Sequence, residues 1–257
     1  MRSVSDIFGQ IFRNLWAHKL RSFLTMFGIA WGVGSLLLLV GVGEGFRSGN
    51  KRELAEFGKD IMFLFPGRAP SVKGNMTSAR SYLLTYQDYE DIRHAPEVRN
   101  ACPIISRGDL HEVSEFSNGS GEVLGTEPQL NEISYLPLQE GRWLNNLDGA
   151  QRRNVVVLGN ELYKNLFGSK RALGATVLLN GYRFSVVGTA KKMRGEASAT
   201  DMRAFIPFSV MREHFPLADA DKPDRPDSIT YINYQPLDPN RDLEARREVR
   251  VLVGQNH

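Results

Sequence analysis

The sequence has one cysteine in 257 residues, so it can form no internal disulfide and no thiolate metal cluster, and its fold has to rest on packing. Cys102, between Ala101 and Pro103, reads as a small buried core residue. The bulk of the chain also lacks any excess of charge. Four of the 32 basic and one of the 29 acidic residues fall within positions 1–21, which leaves 28 of each sign in the remainder. A neutral remainder without a Lys/Arg stripe excludes nucleic acid as a partner. His18, His94, His111, His214 and His257 are scattered without metal-ligand spacing. No phosphate-binding GxxxxGK[ST] occurs: Gly58-Lys59-Asp60 lacks both the upstream glycine and the hydroxyl, and Gly41-Val42-Gly43-Glu44-Gly45 ends an apolar run instead of following a strand. Ser120, between Gly119 and Gly121, lacks the frame of a nucleophile elbow. No repeat of fixed period is visible. No catalytic residue, cofactor or metal is therefore expected.

One long apolar run is present. From Ser22 to Gly43, 22 consecutive residues carry no charge, enough for about 30 Å of helix at about 1.5 Å per residue. Eleven of them are Leu, Ile, Val or Phe, which together favour insertion into a bilayer by about 3 to 7 kcal/mol. The run is too long, and its flank too unlike a cleavage site, for a signal peptide. Arg13, Lys19 and Arg21 precede it, so the positive-inside rule keeps the N-terminus cytoplasmic and places residues 44–257 outside. No later segment is apolar enough to cross, and a single span is expected.

Residues 1–21 carry a second pattern. Val4, Ile7, Phe8, Ile11, Phe12, Leu15 and Trp16 recur every three or four positions, with polar residues between and Arg13, Lys19 and Arg21 near the end. This spacing predicts an amphipathic helix lying at the cytoplasmic bilayer surface. Inside the span, Gly28 and Gly32 form a GxxxG, and Ala30 and Gly34 repeat the small-xxx-small spacing one step around; such faces admit another helix closely.

Beyond the span the pattern predicts a polar helix from Gly45 to Phe57 and a buried strand from Ile61 to Phe65, stopped by Pro66-Gly67. A helix capped by Thr85 runs to about His94, and a strand from Val98 to Ser106. Residues 112–150 are broken by glycines. Then follow a strand at Asn154–Leu158, a helix capped by Asn160 and closed by Gly168, and a hairpin about Asn180-Gly181. Strands at Ala204–Pro207 and Ile229–Tyr234 precede a last helix capped by Asp238 or Asn240 and ending near Gly254. Short strands mixed with short helices give an α+β domain.

The order of these motifs resembles one family. Arg21-Ser22-Phe23-Leu24-Thr25 leading into Gly28-Ile29-Ala30-Trp31-Gly32-Val33 is similar to the first membrane helix of MacB-type ABC transporter permeases, within the FtsX-like superfamily. Phe57 to Gly67 resembles that family's first extracytoplasmic strand and its Pro-Gly stop, and Leu84-Thr85-Tyr86-Gln87-Asp88-Tyr89 its next helix start. Leu138 to Trp143, Val156-Val157-Leu158-Gly159, Leu166-Phe167-Gly168, Leu173-Gly174, Phe184 to Thr189 and Ala204 to Phe208 follow in the same order.

The resemblance implies an extracytoplasmic core domain over 44–257, with a porter-like α+β part and an inserted second lobe at roughly 112–183, anchored by one N-terminal transmembrane helix in the inner membrane. It also implies a permease subunit, ending here before three further membrane helices and without a fused ATPase. Such a subunit couples ATP hydrolysis in a separate ABC ATPase to movements of the outer domain. The expected partners are the lipid bilayer, that ATPase, a second permease copy (identical or related) and a periplasmic adaptor protein. The alternative is a single-span anchored binding or signalling module that acts without an ATPase.

Overall fold

The computed structural model describes residues 16, 19–56, 61–67, 82–193, 195–217 and 227–257. The chain divides into two units, Met1–Arg52 and Glu53–His257, each treated by itself.

In the first unit, α1 (Lys19–Glu56) is one helix of 38 residues, about 57 Å long at about 1.5 Å per residue. Within its stretch Lys19–Phe46 the most apolar 18-residue window has a mean hydropathy of 2.1, and none of that window is buried. Among the described residues it is the one helix long and apolar enough to cross a membrane. The glycines at 41, 43 and 45 do not interrupt it, and the polar continuation expected after Gly45 is its last third.

The second unit is built on a sheet of 11 strands. In chain order its elements are β1 (Met62–Leu64), β2 (Leu84–Thr85), α2 (Tyr86–Arg93), β3 (Val98–Arg107), β4 (Glu112–Val113), β5 (Asn118–Gly119), β6 (Glu122–Thr126) and α3 (Leu130–Ser134). They continue with β7 (Leu138–Gly141), α4 (Asn146–Ala150), β8 (Val155–Leu158), α5 (Asn160–Phe167), β9 (Thr176–Leu179) and β10 (Tyr182–Ala190). A 3₁₀ stretch Gly195–Met202 leads to β11 (Arg203–Pro207) and α6 (Phe208–His214); β12 (Ser228–Ile229), β13 (Tyr231–Pro236), a 3₁₀ turn Pro239–Arg241 and α7 (Asp242–Asn256) follow. The sheet order is β1-β13-β3-β6-β11-β8-β10-β9-β4-β5, with β7 on β10, while β12 and β2 pair separately. The pairs β6/β11 and β8/β10 are parallel and the others antiparallel.

Because successive side chains of a strand point to opposite faces, a sheet covered on both sides reads as a continuous apolar run. Val156, Leu158, Ala204, Ile206, Val123 and Ile105 enter one core with Tyr89, Ile92, Leu162 and Leu166. Their neighbours Val155, Val157, Phe205, Leu124 and Ile104 enter the other, with Leu130, Ile133 and Cys102. The segment 112–183 is not a separate sheet: its strands are hydrogen-bonded into the same sheet as β3, β11 and β13.

Four local expectations are corrected. The strand expected to be buried at Ile61–Phe65 is an edge strand, β1, with only β13 beside it among the described residues; Phe63 is 50% and Phe65 59% exposed, since just one face meets the core. The helix expected to be capped by Asn160 is capped by Gly159, without a side-chain bond. A Cβ at Gly159 would collide with the carbonyls of Thr200 and Asp201, so glycine is needed there, and Asn160 turns inward to donate to Gln139 at 3.2 Å. The expected strand Ile229–Tyr234 is broken at Thr230 into β12 and β13, which join different sheets. Asp238 caps the 3₁₀ turn that precedes α7, not α7 itself. The hairpin held: Asn180 and Gly181 both have positive φ, 49° and 91°, as a two-residue type I′ turn requires.

Candidate functional site

Of the residues expected at the bilayer surface, Phe8, Ile11, Phe12, Arg13 and Leu15 lie outside the described residues. Trp16 is exposed, and the Lys19 ammonium sits 5.3 Å from its ring centre; Arg21 is exposed at the start of α1. A Trp body beside a Lys head, next to an apolar helix, is the pairing that suits a membrane–water boundary.

Along α1 the hydroxyls of Thr25 and Ser35 are satisfied by the helix itself. Thr25 donates to the carbonyls of Arg21 and Ser22, and Ser35 to that of Gly32, each at 3.0 Å. Neither of these two hydroxyls then requires water in a hydrocarbon layer. Phe23, Phe27 and Trp31 stack at 5.9 Å intervals along one side. Gly28 and Gly32 are one turn apart, as are Ala30 and Gly34. Two residues advance about 200° around a helix, so the two pairs occupy opposite sides of α1 and not adjacent stripes. A Cβ at Gly28, Gly32 or Gly34 would meet nothing within 4 Å, so both faces have room for a neighbour.

In the second unit the polar groups of interest are buried ones. Asp88, wholly buried, takes hydrogen bonds from the Thr85 amide (2.7 Å) and hydroxyl (2.9 Å) in a capping box at the start of α2. Asn256 and His257, at the end of α7, reach the same carboxylate at 2.9 Å each. Tyr82 stacks on the His257 ring at 4.6 Å. Burial alone would push the Asp88 carboxyl up, but the bonds from His257, Thr85 and Asn256 outweigh it and hold it below the usual range. Asp148 repeats the device at α4: it caps with Asn145 and forms a two-pronged pair with Arg142 at 2.6 and 3.0 Å. Thr85-x-x-Asp88 and Asn145-x-x-Asp148 are capping signatures that the sequence displays. The long-range partners of these acids carry no such signal.

Cys102 is fully buried, with Sγ 3.1 Å from the Thr126 hydroxyl, and burial pushes its thiol up to about 12. It is a core residue and not a nucleophile. Among the described residues no three His, Cys, Asp or Glu side chains converge as a metal site.

A family profile for the MacB-like periplasmic core domain matches residues 22–250, from the apolar helix to the last helix of the sheet unit. The chain belongs to this family. Relatives include a macrolide export ATP-binding/permease protein MacB 1/2 of Paracoccus denitrificans, 29% identical over 79% of this chain and 30% of that protein. The ABC transporter permease YknZ of Bacillus subtilis is 24% identical over 95% of this chain and 59% of its own length. The pyoverdine export ATP-binding/permease protein PvdT of Pseudomonas aeruginosa is 29% identical over 77% and 29%. The chain thus spans less than two thirds of each of these relatives. The periplasmic region of MacB from Actinobacillus actinomycetemcomitans superposes with a TM-score of 0.63 at 21% identity, over 79% of this chain and 87% of that one. The extracellular domain of YknZ superposes with a TM-score of 0.61 at 15% identity, over 76% and 95%. At these identities the likeness is one of fold. The α+β unit from β1 to α7 follows the apolar helix α1 in the same chain, and the match takes in residues of both.

Proposed function

We propose that this MacB-like chain is the anchoring and extracytoplasmic part of an ABC-type export permease of the inner membrane, with its N-terminus in the cytoplasm. ATP hydrolysis in a separate ATPase subunit moves the membrane helices of a permease pair, and the outer domains follow. What carries the reading is that one unbroken family match covers both the membrane-length helix and the sheet domain, so an element of each kind belongs to a single conserved unit. The relatives named as ATP-binding/permease export proteins support it. So does a span whose Thr25 and Ser35 hydroxyls are internally bonded and whose two small-residue faces are open to other helices. A periplasmic adaptor would dock on the outer unit.

The test is an inter-copy distance. In nanodiscs holding the full permease and its ATPase, a spin label at Gln87, exposed on α2, should change its distance to the same label in the second copy during ATP turnover. A hydrolysis-deficient ATPase should abolish the change. A distance indifferent to turnover would favour the single-span module that works without an ATPase.

A further inference from the structure

β6 and β11 run parallel, and at their shared carboxyl end the chain leaves in two directions, from Thr126 into Glu127-Pro128-Gln129 and from Pro207 into α6. Diverging connections at the carboxyl ends of parallel strands open a crevice. Here it is a cavity of about 330 Å³, closed at its sides by α2, α4 and α6. The size falls at the lower end of small-molecule sites, about 300–1,000 Å³, and far exceeds the space of one or two waters.

Its apolar wall is Tyr86 stacked on Phe208 at 5.6 Å, with Leu144 and Pro207 beside them. Its polar groups are of two kinds. Glu127 holds the Tyr89 hydroxyl with one carboxylate oxygen at 2.7 Å, and the other takes no hydrogen bond from a described residue. The buried Oε1 of Gln129 has no partner among the described residues. Two guanidinium groups share the lining with these acceptors. Arg93 pairs with Glu90 at 3.8 Å and lies within electrostatic reach of Glu127, with no hydrogen bond from its side chain among the described residues. Arg212 lies over Tyr86 at 5.1 Å and Phe208 at 5.9 Å while pairing with Asp227.

A purely anionic ligand would be placed against Glu127, and a purely cationic one against both arginines. A molecule carrying both charges leaves neither set unmatched. We propose that this cavity binds a small amphoteric molecule of the amino-acid type. Its ammonium group sits on Glu127 and the Gln129 carbonyl, its carboxylate on Arg93 and Arg212, and an apolar side chain lies against the Tyr86–Phe208 wall. Burial also pushes the Glu127 carboxyl up, a displacement that an ammonium partner reverses. The site rests on the geometry of the outer unit alone and is independent of the coupling to an ATPase.

Isothermal titration of the purified full protein with L-leucine and L-phenylalanine tests it. Saturable binding is expected, weakened at least about ten-fold in N-acetyl-L-phenylalanine and in L-phenylalaninamide, because each derivative loses one charge-assisted contact. Arg93→Ala, on an exposed side chain, and Glu127→Gln, which keeps an acceptor for Tyr89, should weaken it similarly. Ala150→Trp, at an exposed lining position of α4, should block the cavity while circular dichroism stays that of the wild type. No binding of either amino acid, equal binding of the blocked derivatives, or binding that survives Ala150→Trp would overturn the assignment.

Discussion

His257 Nε2 lies 2.9 Å from Asp88 Oδ2 across 169 residues of sequence, and this contact fastens the end of α7 to the start of α2. Asn256 strengthens it by bonding both Asp88 and Asp91, at 2.9 and 2.8 Å. One buried carboxylate thus caps one helix and anchors the end of another.

Asp88→Asn should therefore destabilise the protein at neutral pH by about 1–3 kcal/mol, the range for a buried group losing charge-assisted partners. The sign of its pH dependence follows from the lowered pKa. A carboxyl held below its unfolded value of 3.8 contributes fully above that value and loses its contribution as the pH falls through the lowered folded one. The gap in melting temperature between wild type and variant should be larger at pH 7 than at pH 3. A gap of the same size at both would remove Asp88 from this role.

Glu112 behaves in the opposite sense. It is wholly buried on β4, where one oxygen accepts from the Gly121 amide at 2.8 Å and the other has no partner among the described residues. Burial, only partly offset by that bond, pushes its carboxyl up. Its charged form is then a liability on folding, relieved as the pH falls through the raised value. Glu112→Gln keeps the acceptor for Gly121 but cannot ionise, so the variant's stability relative to wild type should be higher at pH 8 than at pH 5. Thermal melts at the two values measure this; a difference independent of pH would contradict the account.

What the sequence made legible was local. Thr85, Gly168 and the Asn180-Gly181 turn were readable because a cap or a two-residue hairpin depends on a few adjacent positions. The apolar helix was readable because its signal is summed over many residues. Strand neighbours were not, because β1 is joined to β13 only through contacts distant in sequence. Its Met62-Phe63-Leu64 run looks as apolar as a central strand, yet its outer edge is unpaired among the described residues. Asn160 misled for a related reason: an Asn ahead of an apolar helix is the usual cap. Here the close carbonyls of Thr200 and Asp201 dictate Gly159 instead. The cavity at Glu127 and Arg93 had no sequence signal, since its walls come from α2, α4, α6 and two strand ends.

The orientation of the chain can be read with a membrane-impermeant thiol reagent, because the native thiol is silent: Cys102 is fully buried and its pKa is raised to about 12. Leu147→Cys, at a side chain 57% exposed in the outer unit, should label in intact cells. In the proposed topology Gln10→Cys should label only after lysis, Lys19 and Arg21 being the basic flank of the span. The reverse pattern would invert the topology.

The two small-residue faces of α1 separate a permease from a lone anchor. Leu at Gly28 or Gly32 has room within this chain, since nothing lies within 4 Å of either Cβ position. Leu also favours the helix over Gly by up to about 1 kcal/mol and inserts into the bilayer at least as readily. Neither folding of α1 nor membrane abundance should therefore suffer. Any loss has to come from a helix outside this segment that approaches the Gly28–Gly32 face, where the new side chain separates backbones that pack closely in lipid. In the full permease, Gly28→Leu and Gly32→Leu should lower both transport and the yield of detergent-stable complex at unchanged abundance. Gly34→Leu, on the opposite side of α1, reports on the second face independently. An autonomous single-span anchor would tolerate all three, and wild-type complex yield and transport in Gly28→Leu and Gly32→Leu would show that no helix packs on that face.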